Sequence, residues 1–445
     1  MSHSPCERTF LVIGDSETAR RACASLTEAG RRVSHVEAPS DALLHDLLEQ
    51  PVDGVAILLW DDIAGLRYCL AVHHIRPTVR LFVTIFDKTV RRQLEESVPD
   101  CTIMSTADIA VPSLLGPSID PALVAVHRGG EAGLFATAAD ADGSLWGHPY
   151  AVPTRMRRRS RLGVLLGQLR PHDGHSQILL GGLVAMGAVL VVDYLQSVSL
   201  LHLPPLEALH AAARTLATVG PAEPTGQSDI STLVSAIVML MAVAATAFFT
   251  AGLVERMVAV RSVGLVGRLA LPRRGHVVVV GLGQIGLRLC EDLRRAGMSA
   301  VAIERHADAR YLAVARDLRV PVIIGDGTSR KVLEKVALRR AEALAAVASD
   351  DLQNIAVAVA ARAVAPHVRI VMRAGDHDAI AETQSLFSIG HVKDVPGIAG
   401  EAIAAMLQQA CMARVAGLGH DVFLEDPEGQ WARRPMAKRR SCQHS

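Results

Sequence analysis

Gly281-Leu282-Gly283-Gln284-Ile285-Gly286 follows directly on the apolar run Val277–Val280 and opens a stretch of helical spacing that ends at Gly297. In a G-x-G-x-x-G loop between a strand and a helix each glycine has a physical role. Gly281 permits the tight turn, Gly283 lets a diphosphate approach the backbone, and Gly286 allows close helix–strand packing. The helix start, with Gln284 and Ile285 in its first turn, offers unpaired N–H groups and a partial positive charge to phosphates. Glu304 ends the next apolar run, Ala300–Glu304. It is placed to accept hydrogen bonds from an adenosine ribose and to disfavour a 2′-phosphate. The equivalent turn near the N-terminus reads Gly14-Asp15-Ser16-Glu17-Thr18-Ala19. One glycine remains, and Asp15 and Glu17 would repel a diphosphate, so no dinucleotide is expected there.

The elements around both loops alternate between strand and helix. In the first 125 residues, strands are predicted at Thr9–Ile13, Arg32–Glu37, Val55–Leu59, Arg80–Phe86 and Cys101–Met104, with helices over 16–29 and 87–96. In the second half, strands are predicted at Val277–Val280, Ala300–Glu304, Val320–Ile324, Leu344–Ala348 and Arg369–Arg373. Such alternation implies two Rossmann-like α/β domains with doubly wound parallel sheets, weakly self-similar and spanning about 1–125 and 275–378. Residues 126–154 lack periodicity and read as loop or weak strands, with Asp140–Ser144 a turn rather than a calcium loop. Residues 379–420 read as mostly helical with a break at Pro396-Gly397, after which Ala399, Ile403, Met406, Leu407 and Ala410 form a packing stripe. The basic tail from Arg433 is expected to be disordered.

Between the halves the chain changes character. Segments 178–201 and 230–254 are almost wholly apolar and long enough to span a bilayer, with Asp193 and Gln196 interrupting the first. Arginines at 155, 157, 158, 159 and 161 precede the first span, and others at 256, 261, 268, 273 and 274 follow the second. Positive flanks place both α/β halves in the cytoplasm and 202–229 outside, a helical hairpin in the cell membrane with linkers at 126–177 and 255–274. A mean hydropathy of +0.28 suits a few spans joined to large soluble parts. Formal net charge is +1, which gives no field for nucleic acid. The seven cysteines are scattered, with no C-x-x-C spacing, and read as reduced thiols rather than a disulfide framework or metal site. His73-His74 and Asp61-Asp62 read as a helix face and a strand-end cap rather than metal ligands.

With these motifs in place, the second half resembles the RCK family, regulators of potassium conductance. The resemblance rests on VVVVGLGQIG at 277–286, Glu304, Gly325-Asp326-Gly327-Thr328, Ser349-Asp350-Asp351 with Asn354, and Arg373. It implies NAD(H) or another adenine nucleotide as regulatory ligand, with Glu304, Asp326 and Thr328 around the adenosine part and Arg305, Gly327 and Arg373 in the same set. The first half looks like a shorter, degenerate copy without a G-D-x-T segment. The hairpin resembles the two-helix pore module of potassium channels, with a pore loop over 204–229, a pore helix at Leu206–Ala217 and a filter candidate at Thr218-Val219-Gly220. The family filter continues Tyr-Gly-Asp, whereas this chain continues Pro221-Ala222-Glu223, which puts potassium selectivity in question.

The resulting expectation is a potassium or monovalent-cation channel-like protein regulated by nucleotide; one pore loop per chain requires an assembly, and the family resemblance implies a homotetramer. A non-conducting nucleotide sensor is the alternative. An NAD-dependent oxidoreductase is disfavoured, because His391, Lys393 and His420 form no recognisable acid–base pair in the short segment after the nucleotide domain.

Overall fold

The computed structural model describes residues 8–129, 133–158, 161–162, 174–199, 202–217, 229–258, 271–375, 391–408 and 412–437. They divide into two compact units: residues 1–165 together with 271–445, and residues 166–270.

In the larger unit, β1 (Thr9–Ile13), β2 (Arg32–Val36), β3 (Gly54–Ile57), β4 (Arg80–Val83) and β5 (Cys101–Ile103) form a parallel sheet in the order β2-β1-β3-β4-β5. Helices α1 (Glu17–Glu28), α2 (Asp41–Glu49), α3 (Asp62–Ile75) and α4 (Lys88–Ser97) connect the strands, and α5 (Thr106–Ile119) follows the last one. Buried β-branched and aromatic strand residues such as Phe10, Val12 and Phe82 form the sheet's core.

Three short strands come next: β6 (Leu123–Arg128), β7 (Leu134–Ala139) and β8 (Leu145–Tyr150) make an antiparallel sheet. This corrects the loop reading of the segment. The strands are rich in alanine and carry a proline and a glycine, so their β-propensity is weak. Packing decides their state: Ala125, Val126 and Ala136 are fully buried. Asp140–Ser144 is the hairpin turn, with the Ser144 amide donating to Asp142 at 3.2 Å.

The smaller unit holds α6 (Gly174–Ser199), α7 (Pro205–Leu216) and α8 (Asp229–Val258). Within α6 and α8, Gly181–Ser199 and Thr232–Val254 are long and apolar enough to cross a membrane. They pack through Val189, Val238, Ala242 and Ala245, while Val184, Leu195, Leu233, Leu240 and Phe248 stay exposed. An apolar outer surface of this kind suits lipid rather than water. Three polar residues of α6 turn inward: Asp193, Gln196 and Ser197 are buried, and Gln196 donates to Ser235 across the helix pair at 2.8 Å. Helix α7 stands where the pore helix is expected. Thr218-Val219-Gly220 and the residues after it lie outside the described residues.

The chain returns to the larger unit with β9 (His276–Val280), α9 (Gln284–Arg295), β10 (Ser299–Glu304), α10 (Leu312–Asp317), β11 (Val322–Ile324), α11 (Arg330–Lys335), β12 (Ala343–Ala346), α12 (Asp351–Val364), β13 (Arg369–Ala374) and β14 (His391–Asp394). The six strands form a second parallel sheet, β11-β10-β9-β12-β13-β14. Helix α13 (Val395–Leu407) and the antiparallel strands β15 (Arg414–Leu418), β16 (Asp421–Glu425) and β17 (Trp431–Pro435) complete it.

Three expectations for this region are corrected. Pro396-Gly397 starts a helix rather than breaking one: proline lies in the first turn, where its missing N–H costs nothing, and Asp394 accepts from the Gly397 amide at 2.8 Å. The segment is also part strand, because His391–Asp394 pairs with β13 and β15–β17 follow α13. Residues 433–437 of the tail expected to be disordered are placed: Arg433 pairs with Asp421 at 2.7 Å and Arg434 reaches Glu401 at 3.5 Å, while residues 438–445 lie outside the described residues.

The two halves repeat one plan: a parallel sheet, a helix after its last strand, then a three-stranded antiparallel sheet. They exchange those helices. Helix α13 of the second half packs on α1 of the first, and α5 of the first packs on α9 of the second. Gly400 makes one of these contacts close, since a β-carbon there would lie 2.9 Å from the Ala22 nitrogen.

Candidate functional site

The glycine loop leaves β9 at the centre of the second sheet, where neighbouring strands β10 and β12 diverge to opposite sides. In doubly wound sheets that crevice receives ligands. Gly281 has φ +97°, and a β-carbon on it would come 2.8 Å from the backbone at Ala348. A β-carbon on Gly286 would strike the Gly281 carbonyl oxygen at 1.9 Å. These two glycines are required by the protein's own packing. Gly283 is different: among the described residues, nothing beyond the adjoining chain lies within 4 Å of where its β-carbon would be. It begins α9, and among the described residues no side chain caps that helix. The helix start therefore presents amide N–H groups beside an open space, which fits an anion.

Glu304 ends β10 beside this loop. Its Oε2 accepts from the Leu282 amide at 2.8 Å and its Oε1 from the His306 amide at 3.1 Å. The carboxylate thus holds the glycine loop in place, a role not foreseen from sequence, while its remaining lone pairs stay available to a ribose. Arg305 pairs with Asp326 at 3.6 Å, both half-exposed. The backbone and hydroxyl of Thr328, followed by Arg305, hold the Asp326 carboxyl below the usual carboxylate range. A β-carbon at Gly327 would meet Val280 at 2.4 Å, so the Asp326–Thr328 turn can lie against the end of β9 only with glycine at its centre.

On the other side of the loop, Asp350 caps α12 and Asp351 accepts from the Gly375 amide at 2.7 Å. Asn354 is fully buried. Its Oδ1 accepts from the Ala348 amide at 2.9 Å, and its Nδ2 donates to the carbonyls of Ala348 and Arg373 at 2.9 and 3.1 Å. It joins the ends of β12 and β13 and so positions the chain segment on which Gly281 rests. Arg373 is buried, its Nε has no partner among the described residues, and burial lowers its pKa against the opposing pull of Asp351 and Asp394.

The structure therefore groups Gly281, Gly283, Gln284, Ile285, Gly286, Glu304, Arg305, Asp326, Gly327 and Thr328 along the ends of β9, β10 and β11. Arg373 stands on β13 across the Asn354 bridge.

The first half intrudes on α9, and sequence reasoning did not anticipate this. Arg288 pairs with Asp108 of α5 at 2.9 Å and lies over the Phe86 ring. Lys88 meets Glu291 at 2.9 Å, and Phe86 packs edge-on against Tyr311 with ring centroids 5.3 Å apart. Gln284 borders a small cavity lined by Ser16, Trp60, Asp62, Thr84 and Ser105 of the first half. At α1 the phosphate position is filled from within: Ser16 Oγ accepts from the Ala19 amide at 3.1 Å and donates to the Leu58 carbonyl at 2.8 Å. Asp61 caps α3, and Asp62 accepts from the amides of Phe86 and Asp87 at 3.0 and 2.8 Å.

Comparison with known proteins agrees with this geometry. The TrkA-N family model matches residues 277–390. This part of the chain is a TrkA-N domain. Potassium channel protein 1 of Methanocaldococcus jannaschii is 26% identical over 175 residues, 38% of this chain and 52% of that protein. The Trk system potassium uptake protein TrkA homolog of Pyrococcus horikoshii is 30% identical over 101 residues, 23% of this chain and 44% of that protein. These matches take in about half of each relative's length. The solved structure of the GsuK channel shares the fold, with a TM-score of 0.52 over 92% of this chain and 65% of that one at 13% identity. Beyond the TrkA-N domain, the likeness to that structure carries the two-half architecture and no more.

Proposed function

We propose that this chain is a membrane-embedded potassium or monovalent-cation channel whose opening is set by NAD(H) or another adenine nucleotide at the TrkA-N domain. The observation that carries the reading is the uncapped, sterically open start of α9 at Gly283, in one chain with two helices long enough to cross a membrane. Gly283, Gln284 and Ile285 would hold the diphosphate, Glu304 a ribose, and Asp326 and Thr328 the adenosine side. The bound group serves as a signal: a ligand shifts gating by its different affinity for open and closed states. Arg288 and Glu291 on the ligand-facing helix pair with residues of the first half, so a movement of α9 reaches α5. The relatives named for potassium channels and potassium uptake support the ion class. One α7 per chain leads us to a homotetramer around a shared axis, embedded in the cell membrane with both α/β halves cytoplasmic.

The test is flux. Purified full-length protein is reconstituted in liposomes, and potassium or rubidium uptake is followed with NAD, NADH, ADP and ATP added on the side of the α/β unit. Nucleotide-dependent flux is expected. Nucleotide binding without flux at any nucleotide or ion concentration would sink the channel reading and leave a non-conducting sensor, which Pro221 and Ala222 in place of the family's Tyr-Gly would favour. Absence of both binding and flux would remove the site as well.

A further inference from the structure

Cys69 and Cys101 are 32 residues apart in sequence, and their sulfurs lie 3.6 Å apart. Cys69 is on α3 and has no exposed surface; Cys101 begins β5, the edge strand of the first sheet, and is partly exposed. Both are free thiols. Cys23 and Cys290 lie buried in the core shared by the two halves. The pair thus combines a sulfur that a small oxidant reaches from solvent with a second, sheltered sulfur in contact with it. A hydrogen bond between them lets one be thiolate while the other keeps its proton, and the thiolate is the nucleophile in thiol oxidation.

We propose that Cys69 and Cys101 are a reversible oxidation site for hydroperoxides, forming an intrachain disulfide between α3 and β5. Cys101, the sulfur that solvent reaches, passes its proton across the contact to Cys69 and attacks a peroxide oxygen; the O–O bond breaks, the departing hydroxide takes that proton and leaves as water, and Cys101 becomes a sulfenic acid. The Cys69 sulfur then attacks the sulfenic sulfur, the S–S bond forms and the S–O bond breaks, releasing a second water. Two thiols are oxidised by two electrons and one hydrogen peroxide is reduced to two waters. The bond would tie α3 to the strand that leads through Ser105 into α5, the helix packed on α9.

The test treats reduced full-length protein with hydrogen peroxide, blocks remaining thiols by alkylation, and digests with trypsin. The wild-type chain should lose both alkylatable thiols and yield peptide Tyr68–Arg80 linked to Gln93–Arg128, with both thiols restored by dithiothreitol. C101S should abolish the link. C69S should stop at a sulfenic acid on Cys101 that a cyclic 1,3-dione captures. The wild-type result decides the matter whether or not the variants fold. Cys69 and Cys101 both remaining alkylatable while peroxide is consumed, or Cys101 advancing to sulfinic acid with no linked peptide, would overturn the proposal.

Discussion

Gly283 and Gly286 are the same residue type three positions apart, yet their surroundings differ. A methyl at Gly286 collides with the Gly281 carbonyl, whereas one at Gly283 points into open space. Gly286→Ala should therefore destabilise the larger unit by about 2 kcal/mol or more, within the range for overpacked positions. Gly283→Val replaces a favoured N-cap residue and should cost about 1 kcal/mol while obstructing the phosphate position. Urea unfolding and nucleotide calorimetry on the same two proteins would separate these effects; equal loss of stability in both would contradict the open cradle. Glu304 has a double duty, because its carboxylate anchors Leu282 while facing the proposed ribose. Glu304→Gln keeps one acceptor and loses the charge, and should weaken nucleotide binding about tenfold, or ~1.4 kcal/mol. Unchanged affinity would confine Glu304 to its structural role.

Helices α5 and α13 owe their position to the opposite half, and the buried ion pair between Arg21 of α1 and Asp394 at the start of α13 shows what that exchange involves. Arg21 is 2% exposed and meets Asp394 at 3.2 Å while also donating to the carbonyls of Gly375 and Ala437 at 2.8 Å. Burial pushes the Asp394 carboxyl up to about 6 in spite of Arg21. Removing one partner leaves a buried charge uncompensated, which costs about 3 to 5 kcal/mol. Arg21→Met should lose an amount of that order, and Asp394→Asn added to it should recover part. A double-mutant cycle checks this, and additive losses would show that the pair is not coupled. Helix α5 also shows why it is hard to read from sequence. Pro112, Pro117 and Gly116 punctuate it, and it is apolar on nearly every face because it is buried nearly all round. The available signal was Ser105-Thr106-Ala107-Asp108, which forms a capping box in the structure.

For the molecule as a whole, acid should weaken the larger unit before it touches the proposed ligand. His127 and His276 are buried, each with Nε2 2.8 Å from a backbone carbonyl, Val415 and Val336 respectively. Desolvation holds both at about 4, below the ordinary 6.5. The unfolded chain therefore binds more protons between pH 4 and 6.5, and stability present above that window is lost as pH falls through it. Each histidine contributes on the order of 3 kcal/mol. Asp394, raised to about 6, works in the opposite direction over a similar window and offsets about one histidine. Urea midpoints at pH 7 and pH 4.5 should show a net loss on the order of 3 kcal/mol; a flat profile would mean that the two histidines are already charged or solvated in the folded chain.

Local events were legible from the order of residues alone. Val277–Val280 followed by the glycine loop and a strand ending in Glu304 specified the crevice proposed for a nucleotide, because turn geometry, β-propensity and phosphate approach each depend on residues a few positions apart. The apolar length of the two segments in the smaller unit was likewise legible, since span length is a property of composition. The remaining features depend on contacts between residues far apart in the chain and emerge only in the folded molecule. The alanine-rich strands β6–β8 form because the core they reach is there, and the exchange of α5 and α13 joins residues separated by hundreds of positions. Glu304 as the anchor of its own loop, Ser16 filling the phosphate position of the first half, and the meeting of Cys69 with Cys101 belong to the same class. The glycine loop marks where a nucleotide would bind, and the packing of α9 on α5 determines what else moves with it.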